Sequence, residues 1–526
     1  MKSVTVITLM TMAALLLAAA AQAQYTNIRI SPEGDIDPEE VTIAINPADP
    51  FNLAAGANLN YYYYSKDRGR TWTRGRLTSS LGVHGDPCVI FNALGDLYYG
   101  HLSNPRTYQG SWLDRIVVQR SESSGVEWDD GVGVGLNGSK DQDKEWLAAD
   151  ITDSPYRHNI YMAWTQFDRY GSREAEDSSR IMFARTTDNG KTWSASRVIS
   201  DQGGNCLDDD YTVEGAVPAV GPDGEVYIAW SGPLGLMFDR SFDGGVSFGA
   251  DIFIASQYGG WNQYVPGIYR CNGLPVTACD ISDSPYRGTV YVLWSDFRNG
   301  HPDIFISKST DRGDTWSSPV MVNDDDGAAY QFFPWLCVDP VTGAVYIIFY
   351  DRRNTAGSAT EVYMAASYDG GGTFKNVKIS ESAFMPSSDI FFGDYINIAA
   401  FDGYVHPIWM RMDQGNLSVW TAAIYDTAAF THVAAAAKTE SFALRQNYPN
   451  PFNPSTVIPF TLKRSGQVSL SMIDVQGRTV DVVYSGYVKA GAHEMVWNSA
   501  GRGAGIYFYR LESDGAVKVR KCVLLK

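Results

Sequence analysis

A turn frame written six times, a strand pattern written seven times and a composition rich in glycine and aromatics predict an all-β chain: a β-propeller followed by a small immunoglobulin-like β-sandwich. The turn frame reads S/T-x-D-x-G-x-S/T-W/F. It occupies residues 65–72, 186–193, 241–248, 309–316 and 367–374, and a decayed copy at 121–128 has Ser123 in place of Asp. Copies recur about every 55 to 68 residues, the length of one four-stranded unit. Each lies between two β-rich runs, so it is predicted to be a hairpin turn. The Asp would cap the loop's own amides, the Gly would supply a φ that other residues avoid, and the aromatic would close into the core. Those are the duties of a folding staple rather than of a catalyst.

The strand pattern is an inner strand, a turn, and a second strand ending in an aromatic. Inner strands begin near residues 41, 88, 146, 216, 277, 335 and 395. The second strands include Ile160-Tyr-Met-Ala-Trp164, Val226-Tyr-Ile-Ala-Trp230, Val290-Tyr-Val-Leu-Trp294, Val345-Tyr-Ile-Ile-Phe349 and Val405-His-Pro-Ile-Trp409. Seven units predict seven blades, with six as the alternative if one unit is misread. The seventh unit stops after its third strand, Leu417-Ser-Val-Trp-Thr-Ala. Near the N-terminus, Asn27-Ile-Arg-Ile-Ser31 is written like the outer strand Asn376-Val-Lys-Ile-Ser380. It is therefore expected to supply the missing strand and close the ring, which removes two open sheet edges.

Residues 1–23 read as a secretion signal, with Lys2, an apolar run and Ala21-Gln-Ala23 as the cleavage site. Residues 24–426 are assigned to the propeller and 427–441 to an Ala-rich linker. Residues 442–526, with short alternating strands, are assigned to the sandwich. No other stretch is long and apolar enough to span a bilayer. A net charge of −17 excludes a nucleic-acid partner and suits an extracellular protein. Six cysteines in an exported chain permit disulfides, with Cys271 near both Cys206 and Cys279, whereas Cys88 and Cys337 sit in apolar strands as expected free thiols. There is no C-x-x-C pair and so no zinc signature.

Two resemblances follow from these motifs. The turn frame resembles the Asp-box, or bacterial neuraminidase repeat, of sialidase-like propellers. The C-terminal segments Asn447-Tyr-Pro-Asn-Pro-Phe-Asn-Pro-Ser-Thr456, Ile473-Asp-Val-Gln-Gly-Arg478 and Gly505-Ile-Tyr-Phe-Tyr-Arg-Leu511 resemble the sorting domain of the type IX secretion system. The second resemblance implies export across the outer membrane, with the tail usually removed and the mature protein released or attached to the cell surface.

Propeller topology places the loops into the inner strands, and those between second and third strands, on one face opposite the Asp-boxes. The first set carries Glu39, Glu40, His84, Asp86, Glu145, Glu214, Arg270, Gln331, Asp394 and Tyr395. The second carries Arg106, Arg169, Asp296, Arg298, Asp351, Arg352, Arg353 and Arg411, with Tyr211, Trp261 and Tyr264 nearby. Carboxylates for acid and base, arginines for anionic groups and aromatics for pyranose faces make a sugar site. The competing explanation for any one residue is that it pairs with its neighbour and rims the blade. The sialidase resemblance implies Arg298, Arg352 and Arg411 on a substrate carboxylate, Tyr395 with Glu214 as the nucleophile pair, and Asp86 as acid/base. Glu145 and Trp261 complete the expected substrate contacts. The family's F/Y-R-I-P is absent, and Ile28-Arg-Ile-Ser31 only echoes it.

The function expected is therefore a secreted exo-glycosidase of sialidase type acting on acidic glycans or glycoproteins. The alternatives are a non-catalytic glycan- or protein-binding propeller, and a polysaccharide lyase using Tyr395 or His84 as base. No cofactor is expected. Calcium on the acidic ring is the alternative, suggested weakly by Asp324-Asp-Asp-Gly327 and Asp208-Asp-Asp210, which lack the spacing of a calcium loop.

Overall fold

The computed structural model describes residues 25–104, 113–430, 442–513 and 516–525. The expected secretion signal, Arg106 and most of the linker lie outside these. The chain forms two compact units, one reaching to Asp426 and one comprising mainly residues 427–526.

Among the described residues, the first unit contains seven antiparallel blade sheets, six of them with four strands in simple up-and-down order, and a separate two-stranded hairpin. Blades 1 to 6 span residues 42–76, 88–134, 141–198, 214–255, 276–321 and 331–378. Blade 7 takes its three inner strands from residues 397–422 and its outer strand from Asn27–Arg29, with Ile28 opposite Thr421. The inner strands contact one another in sequence around a closed ring. The seven-unit reading and the closing strand are thus both as predicted. Asn27 secures the closure from two sides: its side chain donates to Ile379 O at 2.8 Å, and its Oδ1 accepts from Glu381 N at 2.8 Å.

Alternation explains how blades stack. On the second strand of blade 3, Ile160, Met162 and Trp164 pack toward blade 2, whereas Tyr161 and Ala163 pack toward blade 4. Opposite faces of one pleated strand therefore serve two interfaces. Trp164, Trp230, Trp294, Phe349 and Trp409 hold one position in five blades, and all are sealed from solvent. Such rings carry much of the inter-blade burial.

The Asp-boxes are staples in the sense expected. In the copy at 309–316, Asp311 Oδ1 accepts from Ser309 Oγ (2.7 Å) and Thr315 N (2.9 Å), Oδ2 accepts from Thr315 Oγ1 (2.6 Å), and Gly313 N donates to Ser309 Oγ (2.7 Å). These donors, Thr315 first, pull the Asp311 carboxyl down to about 2. Trp316 lies edge-on to Phe238 of the preceding blade at 5.0 Å. In the decayed copy Ser123 Oγ takes over the Asp role by accepting from Glu127 N at 2.7 Å.

Gly313 has φ +88°, and a Cβ there would stand 2.4 Å from Phe238 Cε1. Gly313→Ala is therefore expected to cost about 2 to 4 kcal/mol, from left-handed strain plus overpacking. Gly300→Ala, with φ +89° but open space, should cost only about 1 kcal/mol. Urea unfolding midpoints of the two variants make the comparison.

All six cysteines are free thiols. The disulfides that the sequence permits are not formed; Cys271 is buried with its thiol directed at Asn272 O.

The second unit is a two-sheet β-sandwich, three strands against four. Phe442, Phe460, Leu470, Trp497, Tyr509 and Leu511 form the centre of its core. No helix among the described residues is long and apolar enough to cross a membrane.

Candidate functional site

The inner strands begin in an unusual way. Glu40, Asp86, Lys144, Gly215, Phe333 and Gly393, at the heads of six blades, all have φ between +49° and +83°. Four of these are not glycine, and each such residue costs of order 1 kcal/mol. In blades 3, 4 and 6 the same place carries a β-bulge, between Asp143 and Trp146, Glu214 and Val217, and Phe332 and Trp335. Bulges re-aim side chains. Their effect here is to turn a ring of polar groups toward the propeller axis.

That ring lines a pit of about 280 Å³. Its walls include Glu39, Glu40, Asp86, Asp143, Glu214 and Asp394, with Lys144 and Arg270 as cations. Arg270 Nε donates to Asp394 Oδ1 at 2.9 Å and Nη2 to Oδ2, and Nη1 is 3.4 Å from Asp208 Oδ2. Lys144 Nζ lies 3.7 Å from Asp394 Oδ2 and 4.8 Å over the Tyr395 ring. Tyr170 OH donates to Asp208 Oδ2 at 2.7 Å, and Asn58 Nδ2 donates to Glu40.

The carboxyl groups are driven in opposite directions. Burial pushes Asp394 up, but Lys144 and Arg270 outweigh it and hold the group below its usual range. Burial, then Asp208 and Asp143, pushes Glu214 well above the usual carboxylate range. Burial, with Asp86 the largest neighbouring charge, does the same to Glu40, Asp143 and Glu145, and burial takes Glu39 to about 8. Both Glu145 oxygens and Glu214 Oε2 are buried with no hydrogen-bond partner among the described residues. Within one pit, then, burial favours the protonated form of several carboxyl groups while two cations favour the ionised form of Asp394.

Further down the axis is a chamber of about 30 Å³ lined by Asp86, Lys144, Glu145, Trp146, Trp335 and Tyr395, among others. The Trp146 and Trp335 rings meet at 4.3 Å, and Tyr395 lies 5.4 and 6.0 Å from them. Beyond this aromatic plug the inner strands enclose an apolar cavity of about 300 Å³, lined by residues such as Ile43, Val89, Ile151, Val220, Val338 and Phe401.

Of the residues expected from sequence, Asp86, Glu214 and Trp261 line the pit. Glu145 and Tyr395 line the chamber. Tyr395 is packed in the plug and its hydroxyl donates to Pro87 O at 3.1 Å, so it forms no pair with Glu214. Trp261 is 5% exposed, with Nε1 donating to Thr212 O at 3.3 Å; it shapes the wall rather than offering a face.

The three arginines are not brought to the pit. Arg298 binds Asp296 through Nε (2.9 Å) and Nη2 (2.6 Å), and Arg411 binds Asp413 (2.6 Å) and Ser382 Oγ (2.9 Å). Arg352 is buried and donates to Pro266 O (2.7 Å) and Thr360 Oγ1 (3.1 Å), and burial pulls it down to about 10. A neighbouring aspartate two residues away, or a backbone carbonyl, has claimed each guanidinium. Lys144, Asp143 and Asn58 were not expected, although a lone Lys inside Asp141-Gln-Asp-Lys-Glu145 was a visible sign. Among the described residues no group of three or more His, Cys, Asp and Glu side chains is arranged to hold a metal ion.

Fold, turns and tail together define an exported Asp-box β-propeller. Residues 63–74 match the BNR/Asp-box repeat, and residues 446–525 match the secretion system C-terminal sorting domain. The C-terminal sandwich is thus a type IX sorting domain, which directs secretion to the cell surface. No curated protein matches the chain. Among solved structures it is similar to the Hadza microbial sialidase Hz136, at 15% identity and TM-score 0.42, covering 72% of this chain and 74% of that one. It is similar to the Penicillium chrysogenum α-L-arabinanase at 14% identity and TM-score 0.42, covering 76% and 98%. The NanB sialidase of Streptococcus pneumoniae is similar at 8% identity and TM-score 0.42, covering 72% and 84%.

Proposed function

We propose that the propeller is a secreted glycoside hydrolase working in the axial pit, with Glu214 as the general acid and Asp394 as the ionised carboxylate. One observation carries the reading: carboxyl groups in one pit are pushed in opposite directions, Glu214 toward the protonated form and Asp394 toward the ionised form. Such separation is how one site assigns an acid and a base at neutral pH. Glu40, Asp86 and Lys144, each left-handed without being glycine, all line the pit, and such strain clusters at functional sites. The sialidase-type expectation included an arginine clamp for an acidic sugar. The pit supports the glycosidic chemistry and gives that clamp no support, because the candidate guanidiniums are held elsewhere. A lyase with Tyr395 as its base is not favoured either, since Tyr395 is sealed in the plug; of the two expected bases only His84 lines the pit.

The test is release of reducing ends by the purified full chain from neutral, sialylated and uronate-containing glycosides. Glu214→Gln is expected to lower turnover by about 10² to 10⁴-fold, the usual worth of a positioned acid, with an unchanged melting temperature. Wild-type turnover in Glu214→Gln would remove the assignment. No turnover on any glycoside, with retained binding, would make the pit a receptor.

A further inference from the structure

The loop joining blades 4 and 5, residues 256–275, carries its own two-stranded hairpin, Asn262–Gln263 against Cys271–Asn272. It supplies Trp261, Asn262, Arg270 and Asn272 to the pit wall. The same loop holds three tyrosines in solvent: Tyr258, Tyr264 and Tyr269 are 56%, 76% and 60% exposed. Tyr211, 65% exposed, lies on the adjoining loop, which is tied to this one by Asn262 N donating to Asp210 Oδ1 at 2.7 Å. The cluster runs into the pit, because Tyr269 stands edge-on to Phe391 at 6.1 Å and Phe391 lines the wall.

Tyrosine offers a large, rigid, amphipathic surface at low entropic cost, and several exposed together mark a recognition surface. The chemistry of the occupant follows from the charges beside it. Arg270 is paired with Asp394 and Asp208, and Arg298, 5.3 Å over the Tyr258 ring, is paired with Asp296. The surface therefore presents ring faces and hydroxyls, with Arg270 and Arg298 already neutralised and Arg352 buried beneath it on Pro266 O, above a pit rich in carboxyl groups. An anionic chain would gain nothing there, whereas the apolar faces of uncharged sugar rings would gain stacking area.

We propose that Tyr211, Tyr258, Tyr264 and Tyr269 form an aromatic platform that binds an extended, uncharged polysaccharide and leads its end into the pit. This rests on the reading of the pit as glycan-acting. The test is affinity electrophoresis of the full chain through gels containing soluble arabinan, xylan, mannan or β-glucan, alongside polygalacturonate. At least one neutral polymer is expected to retard the wild type. Tyr264→Ala/Tyr269→Ala should weaken that retardation tenfold or more, whereas Phe242→Ala, 52% exposed on an Asp-box turn, should not. Equal melting temperatures certify that the variants are folded. Equal retardation of wild type and double variant, retardation by polygalacturonate alone, or by no polymer, would overturn the platform. Hydrolysis of short glycosides without retardation would sink the platform and leave the pit's chemistry standing. Retardation without hydrolysis would do the reverse.

Discussion

Lys144→Met is expected to lower the stability of the propeller by about 3 to 5 kcal/mol, the cost of removing one partner from a buried ion pair. Lys144 is the charge on which the pit's electrostatics depend: it helps hold Asp394 ionised and also draws Glu40, Asp143, Glu145 and Glu214 downward. Burial opposes its own charge, but Asp394, Asp86 and Glu40 outweigh that and raise it. Without the ammonium, the acid groups of the folded state rise further above their unfolded values. The native state then binds more protons than the unfolded one, so the loss should be largest near pH 8 and shrink toward pH 5. Urea titrations at the two pH values check both magnitude and sign. A loss that is the same at pH 5 and pH 8 would mean that Lys144 acts by packing alone.

Removing residues 25–31 is expected to have a comparable or larger effect, on the order of 5 kcal/mol, from several backbone and side-chain hydrogen bonds lost together. The segment contributes three ladder positions to Trp420–Ala422, the Ile30 N to Val419 O bond at 2.9 Å, and Val419 N to Ser31 Oγ at 2.9 Å. Its loss also exposes the third strand of blade 7 as a free edge. Thermal unfolding together with size-exclusion chromatography should show a melting temperature lowered by roughly 10 °C or more, with new oligomers formed by edge pairing. A monomeric variant with wild-type melting behaviour would mean that the ring is closed by inter-blade packing alone.

The fold was legible because its determinants are local and repeated. Period-two alternation gave the inner and second strands, the aromatic at Trp164, Trp230, Trp294 and Trp409 gave the register between blades, and the likeness of residues 27–31 to 376–380 gave the closure. The site was legible only in part. Asp86 and Glu214 line the pit because the loop leading into an inner strand must reach the axis. The arginines were misplaced for an equally local reason. In Arg411-Met-Asp413 the charges stand two apart on the same side of a strand, and in Asp296-Phe-Arg298 the turn after the strand folds the arginine back onto the aspartate, so each aspartate captures its arginine before any substrate could. Tyr395 failed for a different reason: it is one residue on from Asp394, just ahead of the inner strand, and its ring lies in the plug and not in the pit. The left-handed residues and bulges that aim the carboxyl groups leave almost no trace in sequence, since four of them fall on ordinary side chains.

The aromatic plug gives the molecule a direction. A seven-bladed ring with an open axis would be a pipe, through which a chain could be threaded and released on the far side. Trp146, Trp335 and Tyr395 make it a cup. For a polymer of the kind proposed above, whatever enters the mouth must leave by the mouth, so only a terminus or a branch tip would reach the bottom, and each visit would end in retreat. Traffic at such a site is set by how quickly the rim lets go, and the surface that grips a long chain best is also the surface that delays the next one.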